Sequence, residues 1–308
     1  MSRLLITGGT GFIGRVLCRH LLARGDDLWV LSRKTPADVQ AICGRVSCVS
    51  SLDALREVDG FDAMINLAGE GIAEKRWSEA RKQALRDSRI ALTEQLVQLI
   101  ERWPLKPSVL VSGSAVGFYG DKGDTPVTEA TPPHDEFTHR LCRDWEAAAN
   151  QASALGVRVC LSRTGVVVGA GGGFLQRMLP PFRLGLGGRL GDGHQYMPWV
   201  HRDDVVRALL WMLDSPDASD AYNVVSPAPA TNRDFTRALG QVLGRPTPFP
   251  VPATVLKLGL GEMARLLLTG QNARPQRLLE AGFEPAWPEL TPALDDAVNG
   301  GRKNTANR

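Results

Sequence analysis

The stretch Thr7-Gly8-Gly9-Thr10-Gly11-Phe12-Ile13-Gly14 carries its glycines at G-x-x-G-x-x-G spacing, between an apolar run and a helical pattern. Gly8 permits a tight turn, Gly11 lets backbone approach a pyrophosphate, and Gly14 lets the following helix pack closely on the strand. Free N–H groups and the positive dipole end of that helix would face the phosphates. Thr10, Phe12 and Ile13 belong to the same turn and count among the predicted contacts. A dinucleotide fits this spacing; a glycine-rich turn with no ligand is the alternative. At the end of the second apolar run stands Ser32-Arg33-Lys34, where a carboxylate would hold the ribose 2′-OH of NAD. A guanidinium pairs bidentately with a 2′-phosphate, so NADP(H) is favoured over NAD. Arg33 and Lys34 as solvated loop charges is the blander reading.

Glu70, Lys75, Arg76, Lys82 and Arg86 follow the fourth apolar run, with Trp77 among them. Cations beside an aromatic at the carboxyl edge of a sheet could hold an anionic, planar or sugar ligand, and Glu70, Arg76 and Trp77 are the predicted substrate contacts. A charged helix face with Trp77 packed beneath it is the alternative. Phe174, Met178, Phe182, Met197 and Trp199 could line a substrate cleft, Met197 and Trp199 foremost, or simply pack a core. His201 is expected to orient a loop through Asp203 or Asp204, with Asp203 capping the helix that follows.

The elements that must position these residues follow from periodicity. Continuously apolar runs at 4–7, 28–32, 46–49, 63–67, 109–112 and 157–162 read as parallel strands buried on both faces. Helical patterns lie between them at 12–24, 88–102 and 140–155, the first and last closed by Gly25 and Gly156. The alternation predicts repeated βαβ units, hence an α/β fold with a doubly wound parallel sheet and a smaller C-terminal substrate domain. Glycine and proline become dense through 169–193 and again through 246–252. The nucleotide-binding domain is therefore placed at 1–168 with returning segments at about 195–228, the substrate domain at 169–194 and 229–300, and a disordered polar tail at 301–308. Helices are expected at 203–213, 233–243 and 290–298, and a strand at 221–225.

The chain has 308 residues, 43% hydrophobic and 22% charged, which excludes disordered, collagen-like and coiled-coil classes. Its net charge of +3 is interspersed without a long basic run, so nucleic acid is not implied. Five cysteines without C-x-x-C spacing suggest neither a disulfide framework nor a zinc site, and no metal is expected. A reducing, cytoplasmic setting fits. Glycines interrupt any N-terminal signal core, and the most apolar segment, 253–268, is broken by Lys257, Glu262 and Arg265. That segment reads as an amphipathic, core-facing helix, not a membrane span.

With Asn66-Leu67-Ala68-Gly69, Ser112-Gly113-Ser114-Ala115-Val116-Gly117-Phe118-Tyr119-Gly120 and Trp199-Val200-His201-Arg202-Asp203-Asp204 added to the glycine turn, the chain resembles the extended short-chain dehydrogenase/reductase superfamily over essentially its whole length. Lys75-Arg76-Trp77, Asp87-Ser88-Arg89-Ile90 and the segment from Arg274 through Gly282-Phe283 resemble its NAD-dependent epimerase/dehydratase-like, YfcH-like subgroup. The resemblance implies that Leu67, Ala68 and Gly69 border the riboses, and that Ser112, Ser114, Arg163 and Thr164 lie near the nicotinamide. The superfamily's acid–base pair is Tyr-x-x-x-Lys at the start of a helix, often with Glu four residues after the Lys. Aligned on Glu146, this sequence has Thr138 and Cys142 at those positions. A threonine hydroxyl is far too weak an acid near neutrality, and a buried thiol offers no fixed positive charge.

Ser114 and Tyr119 are the substitutes the sequence offers, the first to polarise a reacting oxygen, the second, or a bound water, to replace the lost phenol. A turn-capping hydroxyl and a half-buried ring are their structural alternatives. His139 and Arg143 read as a solvated helix face. The expected function is an NADP(H)-dependent oxidoreductase or epimerase-like enzyme acting on a small polar or anionic molecule, as a monomer or homodimer. The alternative is a catalytically silent NADPH-binding redox sensor acting through a protein partner.

Overall fold

The computed structural model describes residues 1–300; the tail expected at 301–308 lies outside them. Strands β1 (Arg3–Thr7), β2 (Asp27–Leu31), β3 (Ser47–Val49), β4 (Ala63–Asn66) and β5 (Val109–Ala115) are interspersed with helices α1 (Gly14–Ala23), α2 (Pro36–Cys43), α3 (Glu79–Arg86) and α4 (Leu92–Arg102), the last two both between β4 and β5. A short β6 (Pro126–Val127), helix α5 (Phe137–Asn150) and strands β7 (Arg158–Thr164) and β8 (Val166–Val168) follow. The chain continues with α6 (Gly173–Arg183), β9 (Tyr196–Met197), β10 (Trp199–His201), α7 (Arg202–Asp214), β11 (Asp220–Val224), β12 (Ala230–Thr231) and α8 (Asn232–Leu243). It ends with α9 (Ala253–Leu260), α10 (Arg265–Leu268), β13 (Asn272–Ala273), α11 (Gln276–Glu280) and α12 (Leu290–Asp295).

Seven strands form one sheet in the order β11-β7-β5-β4-β1-β2-β3, every neighbour parallel. The expected doubly wound sheet is therefore present, and the order reverses between β1 and β4. Leu4 and Ile6 pack with Leu17 and Leu21 of α1 on one face, while Leu5 packs with Leu96 and Ile100 of α4 on the other. Burial on both faces explains the unbroken apolar runs. A smaller C-terminal region has its own core, in which Leu175, Phe182, Met197, Trp199, Phe235 and Leu294 come together.

Several boundaries differ from the sequence expectation. The helix predicted at 88–102 opens as a wide π turn, Asp87–Ala91, before α4 begins. The helix predicted at 140–155 starts earlier, at Phe137, and ends in a 3-10 turn, Gln151–Leu155, closed by Gly156 at φ +78°. The predicted core-facing helix at 253–268 is broken: Gly261, at φ +60°, closes α9, and a 3-10 turn, Gly261–Ala264, intervenes before α10. Helix α9 buries none of its residues, leaving Val255 57% and Leu258 83% exposed. Among the described residues no helix is long and apolar enough to cross a membrane.

The cysteines divide sharply: Cys18, Cys43, Cys142 and Cys160 are buried and Cys48 is half-buried. Thiol chemistry requires access, so a thiol reagent should label Cys48 first and the other four only on unfolding. Counting reacted thiols against time tests this, and prompt reaction of all five would contradict it.

Candidate nucleotide and active site

The site grows from the carboxyl ends of β1 and β4, which are paired so that Thr7 lies opposite Asn66. Thr7 Oγ1 donates to Asn66 Oδ1 at 2.6 Å and accepts from the Ala68 amide at 3.2 Å. Asn66 Nδ2 then donates to Thr93 Oγ1 at 2.8 Å, which fixes α4 to the same point. Gly8 turns the chain at φ +70°, and a Cβ there would lie 2.6 Å from the Leu67 carbonyl carbon. At Gly14 a Cβ would come within 2.3 Å of the Gly8 oxygen. Only glycine fits either position. No side chain caps the N-terminus of α1, which leaves this turn shaped for an anion.

A cleft of about 720 Å³ opens over this turn. Gly8, Thr10 and Gly11 line it together with Ser32 and Arg33 from the end of β2 and Leu67, Ala68, Gly69 and Glu70 from the end of β4. Nine of the predicted contacts thus meet in one place. Arg33 is exposed, and its charge is felt at Glu70. The Arg81 hydrogen bond, then the charges of Arg81, Arg33 and Lys75, hold the Glu70 carboxyl below its usual range. Lys34 is exposed, its amide bonded to Ser32 Oγ at 3.2 Å.

Phe12 has a different task. Its ring sits beneath the glycine-rich 169–173 segment, where a Cβ on Gly172 would lie 2.6 Å from it, and beside the guanidinium groups of Arg15 and Arg202 at 5.5 and 5.3 Å. Arg15 and Arg202 donate in turn to Gly171 O and Ala170 O at 2.8 and 2.7 Å. The phosphate turn and the segment leading into α6 are thereby held together. Ile13 occupies the cap position of α1 and packs against the sheet core.

Arg163, Glu146, Ser114, Tyr119 and Asn223 form one buried network. Arg163 on β7 grips Glu146 on α5 with Nε–Oε1 and Nη2–Oε2 both at 2.8 Å. Each side chain is 7% exposed. Burial by itself would lower the Arg163 pKa, but the bonds and charge of Glu146 outweigh it and raise the guanidinium's affinity for its proton. Ser114 Oγ donates to Glu146 Oε1 at 2.6 Å. Tyr119 accepts from Arg163 Nη1 at 3.0 Å and donates to Asn223 Oδ1 at 2.7 Å. Burial, above all, pushes the Tyr119 phenol up. Ser114 and Tyr119, the residues expected to serve a reacting oxygen, have both hydroxyl protons directed to buried protein acceptors, and Tyr119 is fully buried. Ser112 is also fully buried, its hydroxyl turned to Gly113 O, and Thr164 Oγ1 lies 2.9 Å from Ser162 Oγ.

The Thr138 and Cys142 side chains sit together against Gly117, on the first turns of α5. Thr138 donates to Glu136 and the Cys142 thiol is pushed up to about 12, by burial first and the Glu146 charge second. Neither supplies an acid or a cation near neutrality. His139 is buried, with Nδ1 2.7 Å from Phe118 O, so it is not part of a solvated face; Arg143 is exposed and pairs with Asp144.

Of the predicted substrate contacts, Glu70 lines the cleft and Trp77, Met197 and Trp199 are packed in cores. Trp77 is buried among Leu85, Phe137, Leu141 and Met263, and its Nε1 donates to Ile72 O at 2.9 Å. Arg76 lies over Gly261, a Cβ on which would come 2.8 Å from Nε. Lys82 pairs with Glu262 and Arg86 with Asp144, so two of the four expected cations are bound to carboxylates. Met197 and Trp199 belong to the C-terminal core; Met197 Sδ accepts from Asn232 and Trp199 Nε1 donates to Ala228 O. His201 itself caps α7, its Nδ1 accepting from Asp203 N at 3.3 Å, the reverse of the expected roles. Asp204 instead accepts the Ala286 and Trp287 amides.

A doubly wound sheet with a glycine turn at its switch point and a basic residue after the second strand defines a dinucleotide-binding α/β protein. The family model "NAD dependent epimerase/dehydratase family" matches residues 4–225, and "Domain of unknown function (DUF1731)" matches 251–297. The chain belongs to the NAD dependent epimerase/dehydratase family, within the extended short-chain dehydrogenases/reductases. It is 42% identical over 281 residues to "Epimerase family protein Mb2239" of Mycobacterium bovis, covering 91% of this chain and 92% of that protein. It is 37% identical over 305 residues to human "Epimerase family protein SDR39U1", covering 96% and 99%. The crystal structure of human SDR39U1 isoform 2 with NADPH superposes with a TM-score of 0.87 at 35% identity, over 96% of this chain and 99% of that one.

Proposed function

We propose that the protein binds NADPH in preference to NADH in the cleft at the β1/β4 switch point, and acts as an oxidoreductase or epimerase-like enzyme on a small polar molecule. The substrate lobe would comprise 169–194 and 229–300, with Met197 and Trp199 reaching into its core from a nucleotide-binding lobe of 1–168 and 195–228. The observation that carries the reading is Arg33, which follows β2 with no carboxylate in its place and lines the same cleft as Gly8 and Gly11. The similar human protein was crystallised with NADPH, which supports the cofactor.

Bound NADPH supplies a hydride at C4 of its nicotinamide. This chain's part is to orient and to exclude water: Gly8, Gly11 and Gly14 seat the pyrophosphate, Arg33 takes the 2′-phosphate, and the Glu146–Arg163 pair fixes β5, α5 and β7 around the reacting end. Replacing Arg33 by Ser should cut the preference for NADPH over NADH from tenfold or more, about 1.4 kcal/mol, to near parity, with NADH affinity unchanged. Titration of both nucleotides against both proteins measures it.

A second reading, a silent NADPH-binding sensor, is favoured by one specific observation: Thr138, Cys142, Ser114 and Tyr119 are all buried, and burial pushes the Cys142 thiol and the Tyr119 phenol up. A screen of aldehydes, ketones and quinones separates the two. Carbonyl-dependent loss of NADPH absorbance supports the enzyme; tight binding with no turnover across the panel supports the sensor.

A further inference from the structure

Arg89 sits in the π turn between α3 and α4. Such one-residue widenings of a helix recur at functional sites. Its Nη2 donates to Glu70 O at 2.7 Å, and its Nη1 to Leu85 O at 3.3 Å and Ser88 Oγ at 3.2 Å. Its guanidinium carbon lies 5.4 Å from the centre of the Trp145 ring. Gly69 adjoins it as well, a Cβ there coming 3.0 Å from the same carbon. Gly69, Glu70 and Ser88, which frame the guanidinium, all line the nucleotide cleft.

The group is half-buried, and that burial is the chief influence on its proton affinity, which it lowers. Yet every acceptor it has is neutral, and no described carboxylate pairs with it. Its neighbours differ: Arg81 holds Glu70, Arg86 holds Asp144 and Arg163 holds Glu146. A half-buried cation with no carboxylate bonded to it, and only the more distant charge of Glu70 acting on it, is placed to take the negative charge of a ligand. Three hydrogen bonds leave two of the five guanidinium N–H groups for that ligand.

The position along the cleft identifies the part of the ligand. Arg33 marks the 2′-phosphate end and Gly8 and Gly11 the pyrophosphate. Trp145 lies one turn beyond Cys142 on α5, and the Cys142 thiol feels the Arg89 charge. Arg89 therefore lies between the Gly69–Glu70 edge of the cleft and the part of α5 that carries Cys142 and Trp145. We infer that Arg89 is a cofactor-binding residue, the fixed cation that holds the nicotinamide-side ribose and its adjoining phosphate oxygen. This inference rests on the NADPH reading above.

The test compares two probes on the parent and on Arg89→Gln: NADPH, and 2′,5′-ADP, which carries the 2′-phosphate end and lacks the nicotinamide ribose. The expected result is a loss of NADPH affinity of tenfold or more, with 2′,5′-ADP affinity held within twofold. Equal NADPH affinity in the variant would overturn the inference, as would a parallel loss of both probes, which would make Arg89 a strut for the 69–74 segment. Should Arg89→Gln not fold, Arg89→Lys carries the test, because it keeps the charge and loses the fork. It should then weaken NADPH at least threefold without moving 2′,5′-ADP; equal losses of both probes, or no loss of NADPH, would overturn the inference. A parent protein that binds 2′,5′-ADP and not NADPH, or neither, would instead bring down the underlying NADPH reading.

Discussion

Replacing Glu146 by Ala is expected to destabilise the protein by about 3–5 kcal/mol, the range for removing one partner of a buried ion pair. The size follows from what is left behind. Arg163, 7% exposed, would lose two hydrogen bonds of 2.8 Å and the carboxylate that balances its charge, and Ser114 would lose its acceptor. Phe118, whose ring centre lies 3.5 Å from the Arg163 guanidinium carbon, offers a cation–π contact but no hydrogen-bond acceptor on its ring to replace the carboxylate. Ser114→Ala removes a single hydrogen bond to a charged group and should cost about 1.5–3 kcal/mol. Urea denaturation of the parent and the two variants checks both values. A Glu146→Ala protein within about 1 kcal/mol of the parent would show that the pair does not hold α5 to β7.

Gly14→Val should abolish nucleotide binding, a loss of at least a hundredfold in affinity. The added Cβ would meet the Gly8 oxygen at 2.3 Å and the Gly9 Cα at 2.7 Å, both backbone atoms that no rotamer change can move aside. Relief requires α1 to draw away from the turn, which removes the N–H groups and dipole from the phosphates. The helix also packs Leu17 and Leu21 into the sheet, so a fall in stability should accompany the loss. Circular dichroism with isothermal titration separates the two effects, and a folded variant binding NADPH like the parent would refute the turn's role.

The residues that sequence alone made legible are those whose role is local. The glycine spacing, the apolar runs of β1 and β4, and the basic Arg33 after β2 each follow from neighbours within one βαβ unit. Glu146 entered the sequence reading only as an alignment marker, because its partner Arg163 lies on another element and a buried pair leaves no periodic trace. Arg89 stood in a segment noted only for family likeness; the π turn that aims it is invisible in a pattern read at 3.6 residues per turn. Trp77, Met197 and Trp199 show the opposite error. An aromatic or thioether side chain reads alike whether it faces a ligand or a core, and here all three face cores. The helix expected at 253–268 failed because Gly261 breaks an apolar segment that hydropathy alone joins.

The most direct test of NADPH selectivity at the glycine turn is a side-by-side titration of the purified protein with NADPH and NADH, followed by nicotinamide fluorescence. Saturable binding of NADPH at least tenfold tighter than NADH is expected, lost in Gly14→Val and reduced to parity in Arg33→Ser. Equal affinities would contradict the part given to Arg33, and binding of neither nucleotide would contradict both the enzyme and the sensor readings together.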